Sequence, residues 1–166
     1  IEIDLQNKPA NFLEISPYGK VPVLKHGENR VWESTIINEY LDETFPEPPL
    51  LPKELIQRAH ARIWINFADT RLFATSGKLL YGSDAQQYPV LLKELADNLL
   101  FIEQQALQKV SDSCPYWLGS EISLVDFTYY PWFEQLNVLE HFRGFRLPEG
   151  LNRLQQWRVA VANRES

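Results

Sequence analysis

The pattern of apolar and polar positions divides the chain into two parts, and the first part contains short elements. Residues 1–5, IEIDL, alternate apolar and charged side chains, which predicts a half-buried strand. In residues 21–34, VPVLKHGENRVWES, two short apolar runs flank the turn-forming HGEN, and this order predicts a hairpin. Residues 7–16, NKPANFLEIS, predict a short helix that begins near a proline. Residues 34–45, STIINEYLDETF, predict a longer helix that Ser34 is suited to cap.

Beyond residue 52 the apolar residues recur at helical spacing. Four segments predict helices, and they cover residues 53–80, 87–110, 123–142 and 150–165. The apolar positions are 55, 59, 63 and 67 in the first segment and 88, 92, 95, 99, 102 and 106 in the second. Steps of three and four residues place such positions on one face of a helix, so each set predicts a buried stripe.

Local signals mark where the elements begin and end. Ser123 and Asp126 in ISLVDF have the spacing of a capping box, with Asp in place of the usual Glu, and they predict the start of a core helix. The segment 46–52, PEPPLLP, cannot continue a helix and predicts a stiff linker. The expected fold class is α+β followed by all-α, with a mixed domain over residues 1–51 and an all-helical domain over residues 52–166.

Composition and charge exclude several classes of function. The 166 residues are 45% hydrophobic and carry a formal net charge of −6, with no run of Lys and Arg that would track a phosphate backbone, so nucleic acid is not an expected partner. No apolar stretch is long enough to cross a bilayer, so no membrane is expected as a partner either. The single cysteine, Cys114, rules out an internal disulfide, and the expected location is cytoplasmic. His26, His60 and His141 lack metal-ligand spacing, so no metal is expected.

Taken together, these segments resemble the cytosolic glutathione transferases. The stretch 7–52, which contains NKPANFLEISPYGKVPVL and VWESTIINEYLDETFPEPPLLP, is similar to their thioredoxin-like domain. The stretch 123–136, SLVDFTYYPWFEQL, is similar to the capping-box helix of their helical domain. The pairing of NKP with PWFE is most similar to the omega, dehydroascorbate-reductase and lambda group. The resemblance covers nearly the whole chain and implies a thioredoxin-like domain that lacks its first strand and helix, followed by an all-helical domain.

The resemblance implies a glutathione site in the first domain. A cis bond before Pro22 would leave the backbone of Val21 free to pair with the cysteinyl part of glutathione, whereas the alternative is that Pro22 only ends an edge strand. The helix start at Ser34 would hold the γ-glutamyl carboxylate, and the alternative for Ser34 is an ordinary helix cap. Glu33 would meet the ligand's amino group or help to hold the pocket. Lys8 would pair with the glycine carboxylate, unless it is a solvated surface lysine.

The resemblance places the catalytic residue upstream of Ile1. The family lowers the pKa of a thiol with a Tyr, Ser or Cys at the start of its first helix, and an omega-like protein would have Cys there. The absence of Met from the chain also leads us to expect a further segment before Ile1. Cys114, in CPYW, has no strand leading into it and is expected to be a loop or structural cysteine.

A second-substrate pocket is also implied by the resemblance. Its candidate lining residues are Trp64, Phe67, Arg71 and Tyr130. For the three aromatic residues, packing in the core is the favoured alternative. Lys20, next to Val21, ranks behind Lys8 as a contact for an anionic ligand.

Three functions are consistent with these residues. The first is a glutathione transferase of omega-like type with glutathione as co-substrate, which reduces a mixed disulfide or dehydroascorbate, or conjugates glutathione to an electrophile. The second is a non-catalytic interaction or regulatory module with the same fold, and the third is a helical scaffold with a vestigial pocket. The presence of Val21, Pro22, Glu33 and Ser34 favours the enzyme. The resemblance further implies a role in detoxification or redox chemistry and a cytoplasmic homodimer.

Overall fold

The computed structural model describes residues 2–4, 7–109 and 114–164, and the chain divides into two compact units, Ile1–Pro49 and Leu50–Ser166. The predicted order of a small mixed α/β unit followed by an all-helical unit is confirmed. Leu50 and Leu51 belong to the second unit: Leu50 O accepts a hydrogen bond from Leu124 N at 2.9 Å, and Leu51 is buried in the helical core. No helix within the described ranges is long and apolar enough to span a membrane.

The first unit contains a hairpin between two short helices. Its elements are α1 (Phe12–Ile15), β1 (Val23–His26), β2 (Asn29–Trp32) and α2 (Ser34–Thr44). The strands pair antiparallel, from Val23 opposite Trp32 to His26 opposite Asn29, so only Gly27 and Glu28 form the turn. Gly27 has φ of +60°, a left-handed conformation that glycine adopts without a Cβ clash and that tight hairpins require.

Two predictions for the first unit are corrected by the structure. Residues 2–4 belong to no strand, while residues 1 and 5 of the predicted IEIDL strand lie outside the described residues. The first helix begins at Phe12 rather than near Pro9, because the chain first makes a turn in which Pro9 O accepts a hydrogen bond from Phe12 N at 2.9 Å. Phe12 and Ile37, one from each helix, are the buried apolar side chains in the described part of this unit.

The second unit consists of helices joined by loops. The α-helices are α3 (Leu55–Phe67), α4 (Ala74–Tyr81), α5 (Tyr88–Gln105), α6 (Leu124–Glu134), α7 (Leu136–Arg143) and α8 (Asn152–Ala162). A π-helical segment (Ala68–Phe73) joins α3 to α4, and short 3₁₀ turns (Ala85–Gln87 and Leu107–Lys109) flank α5.

The buried stripe predicted for α5 is confirmed, whereas the one predicted for α3 is wrong. On α5 the positions Leu95, Leu99 and Ile102 are buried, as the three- and four-residue steps required. On α3, Leu55 and Ile63 are 77% and 59% exposed, and the fully buried residue is instead Ala61. The large apolar side chains therefore do not mark the core face of α3, because the face that packs against α6 carries a small residue that permits close approach.

A buried carboxylate joins three parts of the helical unit at the start of α6. Asp126 is 0% exposed and accepts four hydrogen bonds of 2.7–2.9 Å. Its Oδ2 accepts from the backbone N of Ser123, and the Ser123 side chain accepts from the backbone N of Asp126, which together form the capping box. The Ser123 hydroxyl also donates to Oδ2. Its Oδ1 accepts from Trp117 N and from the indole Nε1 of Trp157 on α8. The helix start, the segment before it and α8 are thereby tied to one charge.

A second buried carboxylate holds the start of α8. Glu103 on α5 is 1% exposed, and its two oxygens accept from Arg153 N at 3.0 Å and Leu154 N at 2.8 Å. Amide groups in the first turn of a helix have no intrahelical acceptor, and a negative charge there is favourable. Glu103 therefore anchors α8 to α5.

Replacement of Asp126 by Asn tests the buried network. An amide keeps one acceptor oxygen but turns an NH₂ donor towards N–H groups that need an acceptor, so we expect the free energy of unfolding to fall by about 3 kcal/mol. Urea unfolding followed by tryptophan fluorescence measures the change. Asp97→Asn is the matched control, because Asp97 is an exposed residue on α5 paired with Lys93, and it should change stability by less than about 1 kcal/mol. Equal losses in the two variants would contradict the assignment.

Candidate functional site

The loop that leads to Pro22 is held by one buried hydroxyl. Ser16 Oγ accepts from Lys20 N at 3.0 Å and donates to Lys20 O at 2.6 Å. Ser16 O also accepts from Gly19 N at 2.8 Å, and Gly19 has φ of +63°. Both backbone groups of the residue before Val21 are thus satisfied locally, which fixes the path of the chain into Val21.

Val21 and Pro22 precede β1, at the end of the hairpin where β2 leads into α2. The Val21–Pro22 peptide bond is cis, and Val21 is 43% exposed. Val23 pairs with Trp32 at the end of the antiparallel ladder, so Pro22 before β1 and Glu33 after β2 flank the same end of the hairpin. Within the described residues, the backbone N–H and C=O of Val21 make no hydrogen bond. The edge of the hairpin therefore offers a free donor and acceptor next to a helix N-terminus.

Glu33, and not Ser34, occupies the cap position of α2, so the predicted capping role of Ser34 is wrong. Glu33 has φ of +69° and ψ of 117°, a conformation that residues other than glycine rarely adopt. This backbone turns the chain sharply from β2 into α2, so that Ser34 becomes the first helical residue. The Ser34 side chain is exposed, and its hydroxyl has no hydrogen-bond partner in the described part of the chain.

Lys8 contacts the loop between Ser16 and Pro22. Its Nζ donates to Gly19 O at 2.8 Å and lies 5.7 Å from the centre of the Phe12 ring. An ammonium group has three donors, so two remain for an anion. The structure thus joins Lys8 to the loop that carries Lys20 and Val21, and it puts Pro22, Glu33 and Ser34 at one end of the hairpin.

The four residues expected to line a second-substrate pocket lie on α3, on the π-helical segment and on α6. The rings of Trp64 and Phe67 meet at 5.7 Å, and both pack against the helical core. Tyr130 instead has its ring 6.3 Å from that of Trp157, and a hydrogen bond to the Glu134 carboxylate raises the pKa of Tyr130. Arg71 is exposed in the π-helical segment. The three aromatic side chains pack against the helical core, as the alternative interpretation expected.

Cys114 does not belong to the site. It is half-buried in a loop of the helical unit, and its carbonyl accepts from Arg153 Nη2 at 2.9 Å. No described group of three or more His, Cys, Asp or Glu side chains has the arrangement of a metal site.

Sequence reasoning missed Ser16 and the strain at Glu33. Ser16 precedes a proline in SPYGK, and a serine in a turn often bonds to the backbone a few residues away, so that signal was available. A positive φ at Glu33 had no sequence signal, because neither Gly nor Asn stands there.

Comparisons with known proteins agree with this fold. Residues 1–49 match the family model for the glutathione S-transferase N-terminal domain, and residues 84–160 match the model for the C-terminal domain. The chain is 35% identical to glutathione S-transferase U25 of Arabidopsis thaliana over 99% of its own length and 73% of that protein. It is 31% identical to glutathione S-transferase omega-1 of Rattus norvegicus over 84% of its own length and 57% of that protein.

Solved structures give the same result. An omega 3C glutathione transferase from Trametes versicolor matches with a TM-score of 0.80 and 26% identity, over 99% of this chain and 73% of that one. A tau-class glutathione S-transferase from Mangifera indica matches with a TM-score of 0.84 and 26% identity, over 99% of this chain and 76% of that one. The chain therefore belongs to the glutathione S-transferase family, an enzyme family, and it is about as similar to tau-class as to omega-class members.

Substitutions at residue 33 test the backbone strain. A left-handed conformation costs a residue with a Cβ about 1–3 kcal/mol, whereas glycine adds about 0.5–1 kcal/mol of unfolded-state entropy. We therefore expect Glu33→Gly to be about 1 kcal/mol more stable than Glu33→Ala, which lacks the same carboxylate but keeps a Cβ. Thermal unfolding of the two variants measures the difference. A less stable Gly variant would show that the positive φ carries no strain.

Proposed function

We propose that this chain is a glutathione transferase of omega-like type that binds glutathione along its first unit and uses the thiol for transfer chemistry. The observation that carries the proposal is the free backbone of Val21 at a cis Val21–Pro22 bond, next to the exposed start of α2. Glutathione is an extended, anionic tripeptide, and these features suit a ligand with amide groups and carboxylates.

The backbone of Val21 would recognise the cysteinyl residue. An exposed strand edge binds an extended peptide by exchanging main-chain hydrogen bonds, and each such bond contributes about 1 kcal/mol net. One donor and one acceptor on Val21 match one acceptor and one donor on the cysteinyl residue. The hydrogen bonds from Ser16 to Lys20 support this role, because they hold the preceding residue in place.

The start of α2 would hold the γ-glutamyl end. Amide groups in the first turn of an 11-residue helix present partial positive charge to a carboxylate, and the Ser34 hydroxyl can donate to it as well. The Glu33 carboxylate lies next to this position and would pair with the ligand's ammonium group. Lys8 would meet the glycyl carboxylate, with Lys20 as a second cation in the same loop.

The reaction that we propose is glutathione-dependent thiol transfer, in which a mixed disulfide or dehydroascorbate is reduced. Conjugation of the glutathione sulfur to an electrophile is the second candidate, and the equal similarity to tau-class structures supports keeping it. Both reactions need the same glutathione contacts. Turnover of a disulfide, dehydroascorbate or an aryl chloride by a polypeptide that includes the residues expected upstream of Ile1 separates the enzyme from a non-catalytic module. A cytoplasmic homodimer remains our expectation from the resemblance.

Ser34→Ala tests the carboxylate site. Loss of a hydroxyl that donates to a charged group should weaken glutathione binding about tenfold, measured by isothermal titration calorimetry. Ser83→Ala, at an exposed position in the helical unit, is the control and should bind like the unaltered chain. Unchanged affinity in Ser34→Ala would remove the γ-glutamyl assignment.

Lys8→Gln tests the glycyl end through a ligand comparison. Gln can still donate to Gly19 O, but it carries no charge, so glutathione should bind about fivefold more weakly. Glutathione monoethyl ester, whose glycyl carboxylate is masked, should bind equally to both forms. Lys25→Gln removes an exposed charge from the opposite end of the hairpin and should change neither affinity. An equal loss for the acid and the ester would mean that Lys8 acts only through the loop.

A further inference from the structure

The segment between α1 and Pro22 forms no helix or strand, yet two side chains of β2 contact it or the helix end before it. We call residues 16–21 the approach loop, because this loop ends at Val21, whose backbone is the proposed contact for the cysteinyl residue of glutathione. Ser16 holds Lys20 by two hydrogen bonds. Those bonds are internal to the loop, so they do not attach it to the hairpin.

Arg30 on β2 attaches the end of α1 to the hairpin. Its Nη1 donates to Glu14 O at 2.8 Å. The last carbonyl groups of a helix have no intrahelical donor, and a basic side chain can satisfy them. Glu14 lies two residues before Ser16, so this bond holds the point at which the approach loop begins.

Trp32 on β2 contacts the middle of the approach loop. Its ring meets that of Tyr18 edge to face, with ring centres 6.4 Å apart and planes at 82°. Aromatic pairs in this geometry attract each other beyond the area that they bury. Tyr18 and Trp32 are 64% and 36% exposed, so this contact lies at the surface and is not part of a buried core.

Both contacts come from alternate positions of one strand, and side chains two residues apart on a strand point to the same face. In the ladder, Trp32 lies opposite Val23, which directly follows Pro22. The strand therefore holds Val23 through backbone pairing and holds the approach loop through side chains. Val21 lies between these two attachments.

We propose that Arg30 and Trp32 are positioning residues for glutathione, which hold the approach loop so that the backbone of Val21 is aligned with the cysteinyl residue. This inference rests on the proposed function, because it concerns the same Val21 contact. A donor and an acceptor that are held in the binding orientation before the ligand arrives reduce the entropy lost on binding. Loss of the two contacts weakens the Val21 hydrogen bonds and leaves the contacts at the start of α2 intact.

Hydrogen exchange in the ligand-free chain tests the attachment by itself. The Lys20 amide, which donates to Ser16 Oγ, reports on the approach loop. In Arg30→Met/Trp32→Leu we expect this amide to exchange about tenfold faster. The Ile37 amide on α2 is the internal reference and should keep its rate. The proposal is overturned if the Lys20 amide keeps its rate, or if the Ile37 amide accelerates equally.

A matched double variant controls for the loss of a charge and of a ring. Lys25 pairs with Glu28 in the turn, and Phe45 ends α2 with an exposed side chain. Lys25→Met/Phe45→Leu should therefore exchange like the unaltered chain at the Lys20 amide. Equal acceleration in this control would overturn the specific role of Arg30 and Trp32.

Titration calorimetry with glutathione and one analogue tests the alignment of Val21. In the analogue, 3-mercaptolactate replaces cysteine, so an ester oxygen replaces the cysteinyl N–H that would donate to Val21 O. The unaltered chain should prefer glutathione about tenfold, because the analogue leaves that acceptor without its donor. In Arg30→Met/Trp32→Leu the preference should fall to about twofold. The control Lys25→Met/Phe45→Leu should keep it.

The change in preference separates positioning from a general loss of structure. A general loss would weaken both ligands by the same factor, so a double variant that keeps the tenfold preference overturns the positioning role alone. Arg30→Lys/Trp32→Phe retains a donor and a ring and should restore the preference. Arg30→Met alone, at an exposed position, should lower the preference even if the double variant does not fold. A lack of preference in the unaltered chain would instead contradict the Val21 contact in the proposed function.

Discussion

The buried carboxylate of Asp126 is the interaction on which the helical unit depends. A charge without solvent is tolerated only when donors surround it. Here two donors come from Ser123 on the same helix start, and two come from Trp117 and Trp157, which are farther away along the chain. The bonds from Ser123 start α6, while those from Trp117 and Trp157 bring in a loop and α8. Any rearrangement that moves one of these donors leaves the Asp126 charge partly unpaired. The network therefore favours a single arrangement of the start of α6, the loop at Trp117 and α8.

Side chains further along α6 make hydrogen bonds to α3 and α4. Tyr129, on the first turns of α6, donates its hydroxyl to Trp64 O at 2.7 Å, and burial raises the pKa of Tyr129, so it remains a donor at neutral pH. Further along, the Trp132 indole donates to Ser76 Oγ on α4 at 2.9 Å. These two hydrogen bonds connect α6 to α3 and α4.

The first unit uses local constraints where the second uses a large core. It buries few apolar side chains, and its order comes from Ser16, which holds Lys20 by two hydrogen bonds, and from the tight turn at Gly27. In the same unit the backbone of Val21 has no partner among the described residues, and Glu33 has a positive φ. Unpaired backbone and strained conformation are both unfavourable in isolation, and they are typical of residues that complete their interactions with a ligand.

The sequence by itself determined the features that depend on near neighbours along the chain. The hairpin follows from HGEN between apolar runs, the stripe of α5 follows from its spacing, and the box at Ser123 and Asp126 follows from a three-residue interval; all depend on local geometry. Only the tertiary structure decided which face of α3 is buried, because that depends on the surface of α6 that packs against it. It also decided that Glu33 rather than Ser34 caps α2. It further decided that Asp126 accepts hydrogen bonds from Trp117 and Trp157 as well as from its own helix start. These outcomes depend on residues far apart in sequence, and no local pattern specifies how such residues meet.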